Sequence, residues 1–245
     1  MMKILTILAL SLSALAQAVP GIETKEYPAG DIKFVRVKNN DGHINISTTT
    51  GAQANVTVTK IKFEDKCSLT ITKNGTELYV AVDDRGFIKS NDCQADMDIS
   101  VPKTVDVKVS NGSGNVKIEG LTGELEYALG SGQLKAIGEF KKVEGKTGSG
   151  EVQIEGLAGS GDLKSGSGDI QIKFSSAVKK GQLDIKTGSG NATLLFAKGS
   201  KINANLKAGS GKLNNELAGD RGSAAKTDFK VSMKAGSGNL EIKAY

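Results

Sequence analysis

The segment Asn111-Gly112-Ser113-Gly114-Asn115-Val116 contains the first of seven Gly-Ser-Gly triplets that share one register. Their first glycines are 18, 18, 18, 22, 21 and 27 residues apart along the chain. Each triplet lies between two short runs in which apolar and polar residues alternate, the pattern of half-buried strands. A repeat of this length is typical of folds in which one unit cannot bury its apolar face alone. The sequence therefore predicts an all-β, β-solenoid or β-helix-like stack of coils of about 20 residues each.

The apolar positions on both sides of each triplet keep a fixed spacing. Around the first triplet they are Val107 and Val109 on one side and Val116 and Ile118 on the other. Since strand side chains alternate between two faces, these positions point to one side and would stack coil on coil. The triplet is the expected corner, because glycine accepts a positive φ and has no Cβ to block the next coil. The predicted corner glycines are Gly112, Gly114, Gly130, Gly132, Gly148, Gly150, Gly166, Gly168, Gly188, Gly190, Gly209, Gly211, Gly236 and Gly238.

The chain before the repeat, residues 19–105, is predicted to be a β-rich segment continuous with the repeat domain of residues 106–245. Asn74-Gly75 between two alternating runs predicts a tight hairpin, and Asp41-Gly42 is expected to be a second turn of this kind. Period-two patterns predict strands over residues 32–37, 43–47, 55–60, 68–72, 77–82, 96–101 and 105–109.

Residues 1–18 have the features of a secretory signal peptide. Lys3 precedes a short apolar run, and Ala16-Gln17-Ala18 ends it, which predicts cleavage before Val19. No later run reaches the roughly 20 apolar residues that a spanning helix needs. The mature chain is therefore expected to be exported, in the periplasm, at the cell surface or released.

In an oxidising compartment the only two cysteines, Cys67 and Cys93, are expected to form a disulfide inside the β-rich segment. Two buried free thiols are the alternative. A zinc site is not expected, because two cysteines and the single histidine, His43, supply too few ligands.

The charge composition argues against a nucleic-acid partner. The chain has 32 Lys and Arg against 27 Asp and Glu, a net charge of +5, but only three of the cations are arginines. Lysine without arginine is typical of a solvated surface rather than of bidentate recognition of phosphates or guanines.

The segment 99–107, with sequence ISVPKTVDV, leads directly into the first triplet and the Gly-Ser-Gly-x-aliphatic repeats that follow. This arrangement resembles the bacterial putative-adhesin domains of unknown function, a group that includes auto-transporter-adhesin head domains. The resemblance extends from about residue 32 to the C-terminus and implies a β-solenoid-like secreted domain. It implies no binding residues, because the family has no settled activity.

The sequence predicts no catalytic residue, no metal and no cofactor. His43 stands alone in an alternating strand, whereas a base needs a nucleophile and an orienting group beside it. The triplet serines lack the Gly-x-Ser-x-Gly elbow, and no helix follows the glycines to bind phosphate. The column after each triplet mixes Asp169 with asparagine, glutamine, glutamate and lysine, so a calcium ladder is not expected.

The column two residues before the first glycine is rich in lysine. On successive coils, with strands about 4.8 Å apart, it would form a basic stripe. One interpretation is a solvated face that prevents aggregation, and the other is a track for an anionic polymer. The lysines of this stripe are Lys146, Lys164, Lys186, Lys207 and Lys234.

These features predict an exported, non-enzymatic cell-envelope protein with an adhesin-like binding or scaffolding role. Its partner would be an envelope or host-surface polysaccharide or another protein. One alternative is a carbohydrate-active enzyme, a polysaccharide lyase or hydrolase, since such enzymes occur on β-helices. A second is a self-assembling surface protein, because the last strand, from Leu240 to Tyr245, has no evident cap.

Overall fold

The computed structural model describes residues 21–86, 92–178, 180–219 and 229–245, and the predicted signal peptide lies outside these ranges. The described chain is all-β, with two short 3-10 turns at Ala29–Asp31 and Glu216–Gly219. None of its helices is long and apolar enough to cross a membrane. The strands are β1 (Ile22–Pro28), β2 (Phe34–Asp41), β3 (Ile44–Thr48), β4 (Gln53–Phe63), β5 (Cys67–Asn74), β6 (Glu77–Asp84), β7 (Cys93–Val101), β8 (Asp106–Ser113), β9 (Val116–Leu129), β10 (Leu134–Thr147), β11 (Val152–Ser165), β12 (Ile170–Phe174), β13 (Gln182–Thr187), β14 (Ala192–Phe196), β15 (Ile202–Ala208), β16 (Leu213–Asn215), β17 (Phe229–Ala235) and β18 (Leu240–Ala244).

The repeat predicted a β-solenoid-like stack of coils, and the strands form such a stack with two facing sheets that enclose one core. Each coil contributes one strand to the front sheet, turns at a corner, and contributes the next strand to the back sheet. The strands β9, β10 and β11 belong to both sheets, because their first halves lie in the back sheet and their second halves in the front sheet. The front sheet has the order β5-β6-β2-β8-β9-β10-β11-β13-β17-β15. The back sheet has the order β1-β4-β7-β3-β9-β10-β11-β12-β14-β18-β16.

The corners are close-packed columns of backbone. A Cβ on Gly168 would lie 1.8 Å from the carbonyl oxygen of Gly150 on the neighbouring coil, so only glycine fits there. Gly42 belongs to the same column, because a Cβ on Gly114 would lie 2.3 Å from its carbonyl oxygen. Asp41-Gly42 is therefore the first corner of the stack, and its prediction as a hairpin was wrong. The strands that flank it, β2 and β3, lie in different sheets.

Buried hydroxyl groups fasten several corners from inside. Ser165 and Thr187 each stand directly before the first glycine of a triplet, and both are buried. The hydroxyl of each donates to the carbonyl of the last glycine of the same triplet. The distances are 2.6 Å from Ser165 Oγ to Gly168 O and 2.8 Å from Thr187 Oγ1 to Gly190 O. These bonds satisfy carbonyl groups that the sharp turn removes from the sheet ladder.

The coils do not stack in chain order at the C-terminal end. Strand β17 lies between β13 and β15, and β18 lies between β14 and β16. The physical reason lies in Phe229, which is fully buried and packs edge-on against the ring of Phe174 with centroids 5.4 Å apart. A terminal coil would leave that ring half uncovered. The last strand in sequence is therefore internal, and the premise that it is uncapped was wrong.

The opposite end carries the predicted hairpin and disulfide. Strands β5 and β6 pair antiparallel around Gly75, and Cys67 on β5 is bonded to Cys93 on β7 with an S–S distance of 2.06 Å. The bond joins the front sheet to the back sheet. Strand β1 was not predicted, because its residues alternate between half-buried and exposed and it has no fully buried apolar side.

Candidate functional site

The five predicted lysines all lie exposed on the outer face of the front sheet. They form one row across neighbouring strands, in which Lys146 pairs with Lys164 and Lys164 with Lys186. Because the last coil is inserted, Lys186 is followed by Lys234, and Lys207 stands at the end of the row. We call these five residues the lysine row. Their function as a ligand track stays a prediction.

An acidic row, which sequence reasoning missed, runs beside the first part of the lysine row. It consists of Glu126, Glu144, Asp162 and Asp184, each two residues before the position of the lysine row on its own strand. Lys164 Nζ lies 3.5 Å from Asp162 Oδ2. The signal was present in the sequence as the column four residues before the first glycine.

The acidic row ends where the inserted coil begins. At Lys234 and Lys207 the neighbouring positions are Ser232 and Asn205, which carry no charge. The strands of the first three lysines thus carry a carboxylate, whereas those of the last two carry none, and the nearest, Asp184, stands opposite Ser232 on the adjacent strand. Lys230 is a further exposed lysine on β17. Within the described residues, β17 and β15 are therefore the strands of the row that carry exposed lysines and no carboxylate.

Ion pairs of the same kind cover much of the remaining outer faces. Lys142 Nζ lies 2.7 Å from Glu144 Oε1, and this hydrogen bond raises the pKa of Lys142. On the back sheet, the hydrogen bond from Lys243, at 2.9 Å, lowers the pKa of Glu241. Exposed pairs of this type stabilise a fold only slightly, but they neutralise the faces that carry them.

His43 lines a shallow polar depression of about 390 Å³ on the outer face of the back sheet. Its ring Nδ1 accepts a hydrogen bond from the Asn115 backbone N–H at 3.3 Å, and the His43 backbone N–H donates to Asp96 Oδ1 at 2.8 Å. Asp98, Lys117 and other polar residues complete the lining. His43 thus takes part in the corner ladder, and none of the residues that line the depression is a serine, threonine or cysteine nucleophile.

The column considered for calcium serves the backbone instead. The Asn115 side-chain oxygen accepts the Gln133 backbone N–H at 3.0 Å, and Asp169 accepts that of Asn191 at 2.7 Å. Asn191 in turn accepts the Asn239 backbone N–H at 2.9 Å. Each of these side chains therefore satisfies a backbone N–H group at the corner of the neighbouring coil. Among the described residues, no group of three or more His, Cys, Asp or Glu side chains is placed to hold a metal ion.

The triplet serines are structural in the same sense. Their backbone N–H groups bond the neighbouring coil, as from Ser167 to Gly148 O at 2.9 Å and from Ser189 to Gly166 O at 3.0 Å. Their side chains are exposed, except that of Ser113, which is half-buried. His43 lies across the corner from the first triplet, but among the described residues it is hydrogen-bonded to Asp96 and Asn115 and to none of the triplet serines.

Two facing sheets of stacked coils, glycine corners and solvated outer faces define a β-solenoid-like protein. The sequence profile of the Toastrack DUF4097 family matches residues 26–244, and the chain belongs to this family. The more specific resemblance to auto-transporter-adhesin head domains stays a prediction. No curated protein matches the chain.

Solved structures similar to this chain come from several bacteria. A "putative lipid binding protein" from Parabacteroides distasonis is similar with a TM-score of 0.50 and 15% identity, over 91% of this chain and 98% of that one. A "putative cell adhesion protein" from Clostridium sporogenes has a TM-score of 0.45 and 14% identity, over 91% and 99% of the two chains. A "putative adhesin" from Bacteroides fragilis has a TM-score of 0.42 and 13% identity, over 92% and 98%. At 15% identity the first of these likenesses shows a shared fold alone.

Proposed function

We propose that the mature chain is an exported, non-enzymatic binding or scaffolding protein of the cell envelope, with an adhesin-like role. The observation that carries this proposal is the uncompensated end of the lysine row, at Lys234 and Lys207. Rigid strands hold these cations about 4.8 Å apart, and no carboxylate lies beside them on their own strands. The disulfide between Cys67 and Cys93 supports an oxidising, extracytoplasmic location.

The ligand class that fits this site is an anionic polymer with repeated charges. Candidates of the envelope are lipopolysaccharide, teichoic acid and acidic glycans. Lysine acts as a hydrated point charge on a flexible stem, so it favours charge density over a single defined group. Binding of this kind should weaken as salt shortens the Debye length to about 8 Å at physiological ionic strength.

The carboxylates of the front sheet support a non-enzymatic role. A glycosidase or lyase needs a carboxyl group whose pKa is raised by an apolar or crowded site, facing a second catalytic group across a cleft. Glu144 and Asp162 instead lie exposed on a sheet face, and each pairs with a lysine of its own strand at 2.7 Å and 3.5 Å. Such paired surface carboxylates are poor general acids.

The test is binding of the mature protein to immobilised lipopolysaccharide and teichoic acid, with vesicles of anionic phospholipid as a third arm, at low and physiological salt. The variant Lys207→Gln/Lys234→Gln removes the uncompensated charges. The matched control, Lys146→Gln/Lys164→Gln, removes two charges from the part of the row that lies beside carboxylates.

We expect about tenfold weaker binding for the first variant, and a change within about twofold for the control, since each exposed charge contributes at most ~1 kcal/mol. Equal losses in both variants would mean that net charge, not this site, determines binding. Binding by none of the three surfaces at low salt would overturn the polyanion proposal.

A further inference from the structure

The C-terminal end of the stack leaves its core open. Strands β15 and β16 form the terminal coil and, within the described ranges, pair only with β17 and β18. Leu213 on β16 is 49% exposed, whereas Leu240 and Ala192, at the same position of the two preceding coils, are 0% exposed. The residue type at this position is apolar in all three, so the exposure comes from the missing neighbour.

The N-terminal end is closed by contrast. On β1, Tyr27 Oη and Lys25 Nζ both donate to the carbonyl oxygen of Ile71 on β5, at 3.2 Å and 3.1 Å. These bonds join the outermost strands of the two sheets, and the disulfide ties the same end together. The strands β1 and β5 are also edge strands, with one partner each among the described residues, so the two ends differ in how their core is covered.

Among the described residues, strand β15 pairs on one side only and leaves a row of backbone groups without a strand partner at this open end. Lys201 O accepts from Phe229 N–H at 3.0 Å, and Gly209 N–H donates to Ala235 O at 3.1 Å, so odd-numbered residues face β17. Since backbone groups alternate in direction along a strand, Ile202, Ala204 and Leu206 point their N–H and C=O groups away from β17. Their side chains are only half-buried.

The described residues at the rim of this edge are mostly basic. Lys201 and Lys207 are exposed at the two ends of β15, and Lys212 is exposed beyond the corner. The acid of the same coil, Glu216, accepts a hydrogen bond from the Ala244 backbone N–H at 3.4 Å. Two copies meeting through this edge would bring two basic rims together, which is unfavourable. An acidic occupant is complementary.

We propose that the free edge of β15 binds an extended, acidic segment of a partner protein by β-strand addition. The segment would pair its backbone with Ile202, Ala204 and Leu206 and place apolar side chains over the open core. Its carboxylates would alternate with these and lie beside Asn205 and Lys207. This partner class goes beyond the anionic polymer proposed above, because it requires backbone pairing in addition to charge.

The probe is a synthetic peptide of the same length as β15 that alternates valine with aspartate. Its matched control has the same sequence but is N-methylated at every second residue, which removes the donors of one edge and keeps the charge. Fluorescence anisotropy with the mature protein should show at least about tenfold weaker binding for the methylated peptide, since several backbone hydrogen bonds are lost. Equal binding of both peptides would overturn strand addition and indicate simple charge attraction.

A protein variant tests the same edge from the other side. Ala204→Pro removes an N–H that points away from β17, and proline is tolerated at such positions of an edge strand. We expect it to bind the peptide at least about tenfold more weakly, whereas Ala204→Val, which keeps the N–H, should bind like the parent. Thermal unfolding checks that both variants fold; if Ala204→Pro does not, the methylated peptide decides the question.

Light scattering tests whether a second copy of this chain occupies the edge instead. A dimeric mass for the parent that becomes monomeric in Ala204→Pro would show that a second copy occupies the edge and would overturn the proposal. Because the two peptides carry equal charge, their comparison is independent of polysaccharide binding by the lysine row.

Discussion

The substitution Gly168→Ala should destabilise the stack through one close contact. The added Cβ would lie 1.8 Å from Gly150 O and 2.5 Å from Gly150 C on the neighbouring coil. Gly168 does not have a positive φ, so backbone conformation alone would tolerate alanine. The requirement for glycine at this position therefore tests the stacking of corners directly.

The magnitude follows from the displacement that the new methyl group demands. Ordinary contact begins near 3.4 Å, so the two backbones must move apart by about 1.6 Å at this corner. The bonds from Ser167 N to Gly148 O and from Val152 N to Asp169 O, both 2.9 Å long, span the same two coils and would be lost. At about 1–1.5 kcal/mol each, the expected loss is about 2–3 kcal/mol, a decrease in Tm of about 5–10 °C.

The control is Gly30→Ala, where a Cβ would meet nothing within 4 Å and φ is not positive. Both substitutions lower the entropy of the unfolded chain equally, so their difference isolates the contact. Urea and thermal unfolding of both variants measure it. If Gly168→Ala unfolds at the same urea midpoint as Gly30→Ala, close packing of the corners is not the reason for glycine.

Three further predictions concern other parts of the fold. Replacing Cys67 and Cys93 by serine opens a loop defined by their separation of 26 residues. Chain entropy predicts that the free energy of unfolding falls by about 3.5 kcal/mol. Calorimetry should show this loss, and an unchanged Tm would contradict it. Tyr127 is 1% exposed, burial raises its pKa, and its hydroxyl has no hydrogen-bond partner in the described chain. Tyr127→Phe should therefore stabilise the protein by about 1 kcal/mol in urea unfolding. A decrease in stability would indicate that a bound water is the partner of the hydroxyl. The pKa of Glu241 is lowered below its ordinary 4.5 by the hydrogen bond from Lys243, so its contribution to stability is present above that value and is lost as pH falls through the lowered pKa. Lys243→Gln should move the NMR titration midpoint of Glu241 back toward 4.5, and an unchanged midpoint would exclude the pair as the cause.

The orientation of most side chains followed from the sequence. In the first coil of the repeat, Val107, Val109, Val116 and Ile118 are all buried, as their spacing from the triplet predicted. The lysines of the row are exposed for the same reason. A strand alternates between two faces at every residue, so a pattern only a few residues long is enough to assign each face.

Only part of the composition of the candidate site could be predicted from the sequence. The lysine row follows from the column two residues before the first glycine of each triplet. Glu144 and Asp162 stand in the column four residues before that glycine. Both columns were equally visible in the sequence. The charge that surrounds each lysine could be read only from the structure. Lys164 lies beside Asp162 on its own strand, but its other neighbours, Lys146 and Lys186, come from different coils.

The sequence by itself determined the all-β class, the coil repeat, the glycine corners and the inward and outward faces, because these depend on contacts within a strand or on a regular spacing. Only the tertiary structure decided which coil ends the stack. Phe229 enters the ring cluster of Phe174 and Phe196, and this non-local packing places β17 inside the sheet. That insertion leaves Lys207 and the edge of β15 on the terminal coil, because β17 carries the fully buried Phe229 ring and β15 carries only half-buried apolar side chains.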